Sequence, residues 1–175
     1  MDNSSYLATL VTVPTIALVT VGSFSTPGEA SEAVDVTCVQ QASVPTVVAT
    51  FSNQKHSQVT PILSFLPQYF SADDGFRHCQ KTAQALQVFY AQNRMNYLAS
   101  DTIDEKPVVC AVERRGLNCN SYGSEILFSL AKPVSPTELL YSMLDRNFKG
   151  SQPPSSRTVS RIYTDLRPSW WPLPF

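Results

Sequence analysis

Residues 107–119, PVVCAVERRGLNC, place Cys110 and Cys119 with eight residues between them around an Arg114-Arg115-Gly116 turn. Two cysteines so arranged can be half of a metal site, a redox pair or a staple, and the choice decides both the compartment and the fold. The chain has four cysteines, Cys38, Cys79, Cys110 and Cys119, with 40, 30 and 8 residues between successive ones. Zinc knuckles prefer partners about two to four residues apart, and no Cys-x-x-Cys is present for thioredoxin-like exchange. An even cysteine count in an exported chain instead reads as disulfides. Two bridges are expected.

Periodicity then assigns them. The segments KPVVCAVE and LNCNSYGSEILFSL flank the Arg-Arg-Gly turn, so a hairpin folded there sets Cys110 opposite Cys119, within bonding reach. Cys38 is left for Cys79. Cys38 lies in AVDVTCVQ, whose alternation suggests a strand. Cys79 lies in DDGFRHCQKTAQALQVFYAQNR, where Phe76, Cys79, Ala83, Leu86 and Tyr90 recur on one helical stripe. That spacing turns the Cys79 sulfur toward a core and a sheet.

Outward from these cysteines, strands are expected at residues 35–40, 46–51 and 59–66, followed by a helix over 75–93 with Asp73 or Asp74 near its N-cap. Further strands are expected at 96–100, 107–113 and 126–131. A short second helix starts at SPTELLYSMLDRN, with Ser135 as N-cap, Pro136 at the first helical position and Glu138 completing a capping box. Helices set among hairpin-linked strands make this an α+β fold: a mainly antiparallel sheet built from hairpins, one long helix packed on it, a short C-terminal helix and two disulfides.

Both ends of the chain have a different character. Tyr6 to Phe24 is an uncharged, mostly apolar run of 19 residues containing four Thr and Pro14. The small residues around Gly28-Glu29-Ala30 and Ser31-Glu32-Ala33 suit signal peptidase. Residues 1–33 therefore read as a signal peptide, or as an uncleaved hydrophobic anchor of about one bilayer's length. Residues 34–148 form the disulfide-stapled domain. Residues 149–175 read as a flexible tail, with GSQPPSS as linker and WWPLPF following the basic segment RTVSRIYTDLRP. Charge is segregated along the chain: no Lys or Arg precedes Lys55, whereas five basic residues from Arg146 onward face the single acid Asp165.

The succession VPTVVATF, TPILSF, RHCQKTAQALQVFY, MNYLAS, KPVVCAV, LNC and ILFSL resembles the circadian oscillating polypeptide family of cyanobacteria. Cys38 before Pro45-Thr46, Cys79 in the helix, Asn96-Tyr97-Leu98, and Pro107-Val108-Val109-Cys110 followed by Cys119 carry the likeness, over about residues 34–145. The resemblance implies a thylakoid, periplasmic or membrane-peripheral setting and brings no catalytic residues with it.

Residue chemistry points the same way. A net charge of −1 gives no clustered basic surface for nucleic acid. His56, in SNQKHSQ, and His78, off the helical stripe, read as solvated side chains. Asp73 and Asp74 read as helix-capping acids rather than as cation ligands with Asp101, Asp104 or Glu105. No Gly-x-Ser-x-Gly elbow or Gly-rich phosphate loop occurs, so no catalytic residue, cofactor or metal is expected. Trp170, Trp171 and Phe175 are the expected partner-binding residues, since aromatics supply most interface energy per residue; the alternative is that this tail folds back onto an exposed strand edge or groove of its own domain. The expected role is that of a non-catalytic exported module, in the periplasm, the thylakoid lumen or at a membrane surface. Its partner would be a protein, such as a membrane complex to which it attaches peripherally. A small exported enzyme or ligand binder built from dispersed polar residues is the alternative.

Overall fold

The computed structural model describes residues 33–52, 57–92, 97–149 and 163–166. Three strands open the domain: β1 (Ala33–Gln41), β2 (Val44–Ser52) and β3 (Ser57–Ser64). They are followed by α1 (Ala72–Ala91), β4 (Tyr97–Ile103), β5 (Lys106–Val112), β6 (Glu125–Ser129), α2 (Pro136–Met143) and β7 (Tyr163–Asp165). Two antiparallel sheets result, one in the order β1-β2-β3 and one in the order β6-β5-β4-β7. The fold is α+β with two disulfides, as expected.

Strand alternation divides the side chains into layers. From the four-stranded sheet, Leu98, Val109, Ala111 and Phe128 enter the main core, which they share with Val47, Ala49 and Phe51 of β2. Helix α1 adds Cys79, Ala83, Leu86 and Phe89, and packs on β1, β2 and β6. Helix α2 contributes Leu139, Leu140 and Met143 and packs on β4 and β5. The opposite face of the same sheet presents Ala99, Val108, Cys110 and Val112 to a second, smaller cluster. There they meet Cys119 and Leu117 from the β5–β6 connection and Tyr163 from β7.

The buried stripe of α1 is rotated from the expected one. Phe89 is buried, whereas Phe76 is 37% exposed. The helix begins earlier than expected, with Ser71 as its N-cap, whose hydroxyl accepts the Asp74 backbone N–H, and Asp73 and Asp74 lie near that cap in the first turn as expected. Ser135 caps α2 as expected, accepting from the Glu138 N–H at 3.4 Å.

Both cysteine pairs form, Cys38 with Cys79 at a Cα separation of 5.6 Å and Cys110 with Cys119 at 5.5 Å. Their settings differ. Cys38–Cys79 ties β1 to α1. Cys119 does not sit on a strand opposite Cys110, as a simple hairpin would require, because Cys110 pairs with Ile126. The connection instead leaves β5, folds over the outer face of the sheet and is stapled there. Its residues Asn118 to Ser124 satisfy one another's polar groups in tight turns, which prevents strand formation before Glu125.

The C-terminal stretch departs most from the sequence reading. Tyr163–Asp165, expected in a flexible tail over 149–175, forms the edge strand β7 against β4, with Leu98 opposite Thr164. Leu166 is fully buried and its carbonyl accepts the Tyr90 hydroxyl at 2.8 Å. Burial of one leucine and one threonine, reinforced by two tyrosine hydroxyls, holds so short a strand in place. The expected signal or anchor segment lies outside the described residues, as do the GSQPPSS linker and Trp170, Trp171 and Phe175.

Edges are managed by side chains. On the open side of β1, Gln87 of α1 donates its amide to the Val34 carbonyl at 3.0 Å and accepts the Val36 N–H at 2.6 Å. One glutamine thus substitutes for a neighbouring strand. The outer edge of β3 is met by the end of α2, through a bridge between Leu63 and Leu144 and the Asp145 N–H on the Ile62 carbonyl. We expect Gln87→Ala to cost about 1–3 kcal/mol in urea unfolding, since it strands two backbone groups. The β1–β2 hairpin turns through Ala42 and Ser43, both at positive φ (47° and 66°), a conformation that penalises a Cβ. An Asn-Gly dipeptide suits such a turn, so the double substitution Ala42→Asn with Ser43→Gly should raise stability by about 1 kcal/mol in the same measurement.

Candidate functional site

Two places in the described residues concentrate polar chemistry or exposed aromatic surface. The first is a cleft of about 380 Å³ at the start of α1, bounded by Tyr69, Phe70, Ser71, Asp74, Arg77 and His78 on one side and by Ser129 to Lys132 on the other. Its Phe70 belongs to an aromatic group of the core. Phe65, Phe70 and Phe128 meet edge to face at centroid separations of 5.2–5.8 Å, a favoured arrangement of ring quadrupoles. His78 rests on two of these rings, 5.4 Å from Phe70 and 6.2 Å from Phe128. It is therefore half-buried rather than solvated as its sequence position suggested, because the cleft wall rises beside the helix face that carries it.

Ser71, Asp74 and Arg77 in this cleft are engaged with one another. Ser71 donates to the Asp74 carboxylate at 2.8 Å and accepts the Asp74 N–H, while Arg77 pairs with the same carboxylate. That is a helix cap with an i, i+3 ion pair, an arrangement whose purpose is to satisfy the first turn. Burial, then the neighbouring charge of Arg77, lowers the His78 pKa below its ordinary 6.5; Asp74 opposes this and Lys81 adds to it. His78 stands neutral against an aromatic wall, with no described nucleophile oriented by it. Among the described residues no group of three or more His, Cys, Asp or Glu is placed to hold a metal. Asp101 accepts the Thr102 N–H, and Asp104 and Glu105 form the β4–β5 turn at positive φ. His56 lies outside the described residues.

The second place is the β5–β6 connection, residues 113–124. It is a braced structure. The Cys110–Cys119 bridge fixes its middle, and the Tyr163 hydroxyl donates to the Leu117 carbonyl at 2.9 Å. Ser121 donates to the Asn118 side chain at 2.9 Å, and Ser124 donates to the Cys119 carbonyl at 2.8 Å. Arg115 lies over the Tyr97 ring, 5.7 Å from its centroid. At the tip of this support Tyr122 is 101% exposed, and Ile126, at the start of β6, is 49% exposed. Sequence reasoning passed over Tyr122. The available signal was an aromatic inside Asn-Ser-Tyr-Gly-Ser, a turn composition in which a tyrosine has no core to enter. Gln87 and Tyr90, which hold β1 and the residue after β7, gave no comparable signal, since their role depends on partners 53 and 76 residues away.

The depressed His78 pKa carries a stability consequence. The unfolded chain takes up the proton near 6.5 and the folded domain resists it, so the contribution of neutral His78 is present above that value and is lost as pH falls toward the folded pKa. Unfolding midpoints in urea should therefore fall as the pH is lowered from above 6.5, and His78→Gln should flatten this part of the profile.

The two disulfides mark an oxidising, extracytoplasmic location. Comparison with curated proteins and with solved structures finds no match. Comparison with protein-family models matches residues 36–170 to the family described as Circadian oscillating protein COP23. The match reaches beyond α2 to include β7, in keeping with the place of that strand in the second sheet. With its cysteine framework, strand order and C-terminal edge strand inside that span, the chain belongs to the circadian oscillating protein COP23 family.

Proposed function

We propose that the domain is a non-catalytic interaction module of the cyanobacterial cell exterior or thylakoid lumen, working at a membrane surface or as a peripheral subunit of a membrane complex. The observation that carries this reading is Tyr122, wholly exposed on a loop held by a disulfide and by its own hydrogen bonds. A large aromatic on a rigid support loses little entropy on contact, and tyrosine and arginine are the residue types on which binding energy concentrates. The cleft at the start of α1, by contrast, has its Ser71, Asp74 and Arg77 committed to a helix cap. Export is consistent with both bridges, and the family supports a cyanobacterial setting.

The alternative, a small enzyme or ligand binder, would have to use that cleft. Its test is a comparison in cells between Ser71→Ala with His78→Ala and Tyr122→Ser. The chain should be recovered with sedimented native membranes. The cleft variant should be recovered there like the unmodified chain, and Tyr122→Ser should reduce recovery severalfold while leaving the amount of folded protein unchanged. Recovery of the unmodified chain in the soluble fraction, or a defect confined to the cleft variant, overturns the reading.

A further inference from the structure

The two disulfides differ in access. Cys110 and Cys119 are both buried, in the small cluster where Leu117 and Tyr163 pack against them. Cys79 is fully buried as well, but its partner Cys38 is only half-buried. Alternation along β1 explains the difference. Val34, Val36, Cys38 and Gln40 share the face of β1 turned toward α1. Val36 is buried and Gln40 is exposed, so Cys38 stands between them at the rim where the β1–α1 contact opens to solvent. Among the described residues no strand lies beyond β1 to cover this rim.

Helix α1 leaves an aromatic at the same place. Gln87 faces β1, because its amide holds the backbone of Val34 and Val36. Phe76 precedes Gln87 by eleven residues, about three helical turns, and therefore lies on the same flank of the helix. Gln87 meets β1 at Val34 and Val36, and Cys79 meets it at Cys38, so helix and strand run in opposite directions. Phe76, about one turn before Cys79, thus falls at the open end of the contact, toward Gln40. Its ring is exposed there rather than spent on the core.

We propose that the Cys38 sulfur is an exchange site for an extracytoplasmic dithiol oxidoreductase of the thioredoxin type, seated on Phe76, and that the Cys110–Cys119 bridge is closed to the same enzyme. Access selects the sulfur that is attacked. A thiolate of the oxidoreductase bonds to Cys38 Sγ; the Cys38–Cys79 bond breaks, and its electron pair leaves on Cys79 Sγ, which takes up a proton. The second thiolate of the oxidoreductase then displaces Cys38, which takes up a proton in turn. The domain has gained two electrons and two protons, and the oxidoreductase holds the disulfide. β1 stays in its sheet through its pairing with β2 and through Gln87. The β5–β6 connection and Tyr122 keep their own staple. The redox state of the compartment is thereby recorded at the β1–α1 rim alone, independently of the interaction-module reading.

The test uses the full chain, without denaturant, and a thioredoxin whose second active-site cysteine is serine, so that the mixed disulfide is trapped. Mass spectrometry of the digest should place the link on Cys38 in about tenfold excess over Cys79, Cys110 and Cys119 together. After intact thioredoxin with its reductase, N-ethylmaleimide should label Cys38 and Cys79 while Cys110 and Cys119 stay joined. Phe76→Ser should slow trapping severalfold and leave reduction by dithiothreitol at its unmodified rate. Trapping on Cys110 or Cys119, simultaneous labelling of all four cysteines, or labelling that needs urea overturns the exchange site. Equal effects of Phe76→Ser on thioredoxin and dithiothreitol, or no effect on either, overturn the seat on Phe76.

Discussion

Everything in this domain is hung on the seating of α1 across β1. The Cys38–Cys79 bridge fixes one point of that contact, and the two hydrogen bonds of Gln87 fix another about two turns further along the helix. Between them Ala83 and Leu86 close on Val47 and Ala49 without exposed apolar surface. The covalent point constrains the unfolded chain over a separation of 41 residues, which the chain-entropy model values at roughly 4 kcal/mol. The hydrogen-bonded point satisfies backbone groups that would otherwise face a helix. Helix position, edge protection and core closure are one arrangement.

The second sheet depends on the first through this helix. Phe128 of β6 packs on Phe65 and Phe70 beside α1, and Tyr90 reaches from the end of α1 to the residue after β7. The sheet is therefore held at both of its edges by one element. Its outer face is closed differently, by a loop rather than a helix, and the Cys110–Cys119 bridge compensates for the small apolar cluster available there. A covalent link where burial is limited, and packing where burial is ample, is the division expected of a small exported domain.

Much of this was legible in the sequence because it is local. The helix showed in its 3.6-residue pattern, the α2 cap in Ser135-Pro136-Thr137-Glu138, and the strands in alternating apolar residues. The disulfide pairing followed from the same periodicities. What escaped was decided at a distance. Cys110 pairs across the sheet with Ile126, not Cys119, because turn-forming side chains from Asn118 to Ser124 capture the backbone first. Tyr163-Thr164-Asp165 has too few residues to announce a strand; it becomes one only when β4 offers an edge and Leu166 a place in the core. His78 looked solvated because helical phase reports its own helix, and the rings beside it come from Phe70 and from β6.

Sheet order has a consequence for assembly. In the four-stranded sheet the neighbour of β4 on its open side is contributed by residues 163–165, the last of the described strands in chain order. A polypeptide delivered through a membrane from its N-terminus can fold β1, β2, β3 and α1 early, since their contacts are sequential. The second sheet must wait, its flank unpaired, until residues 163–165 have crossed as well. Oxidation of Cys38 with Cys79 becomes possible long before that moment, so the early bridge locks a half-built scaffold while residues 163–165 are still arriving.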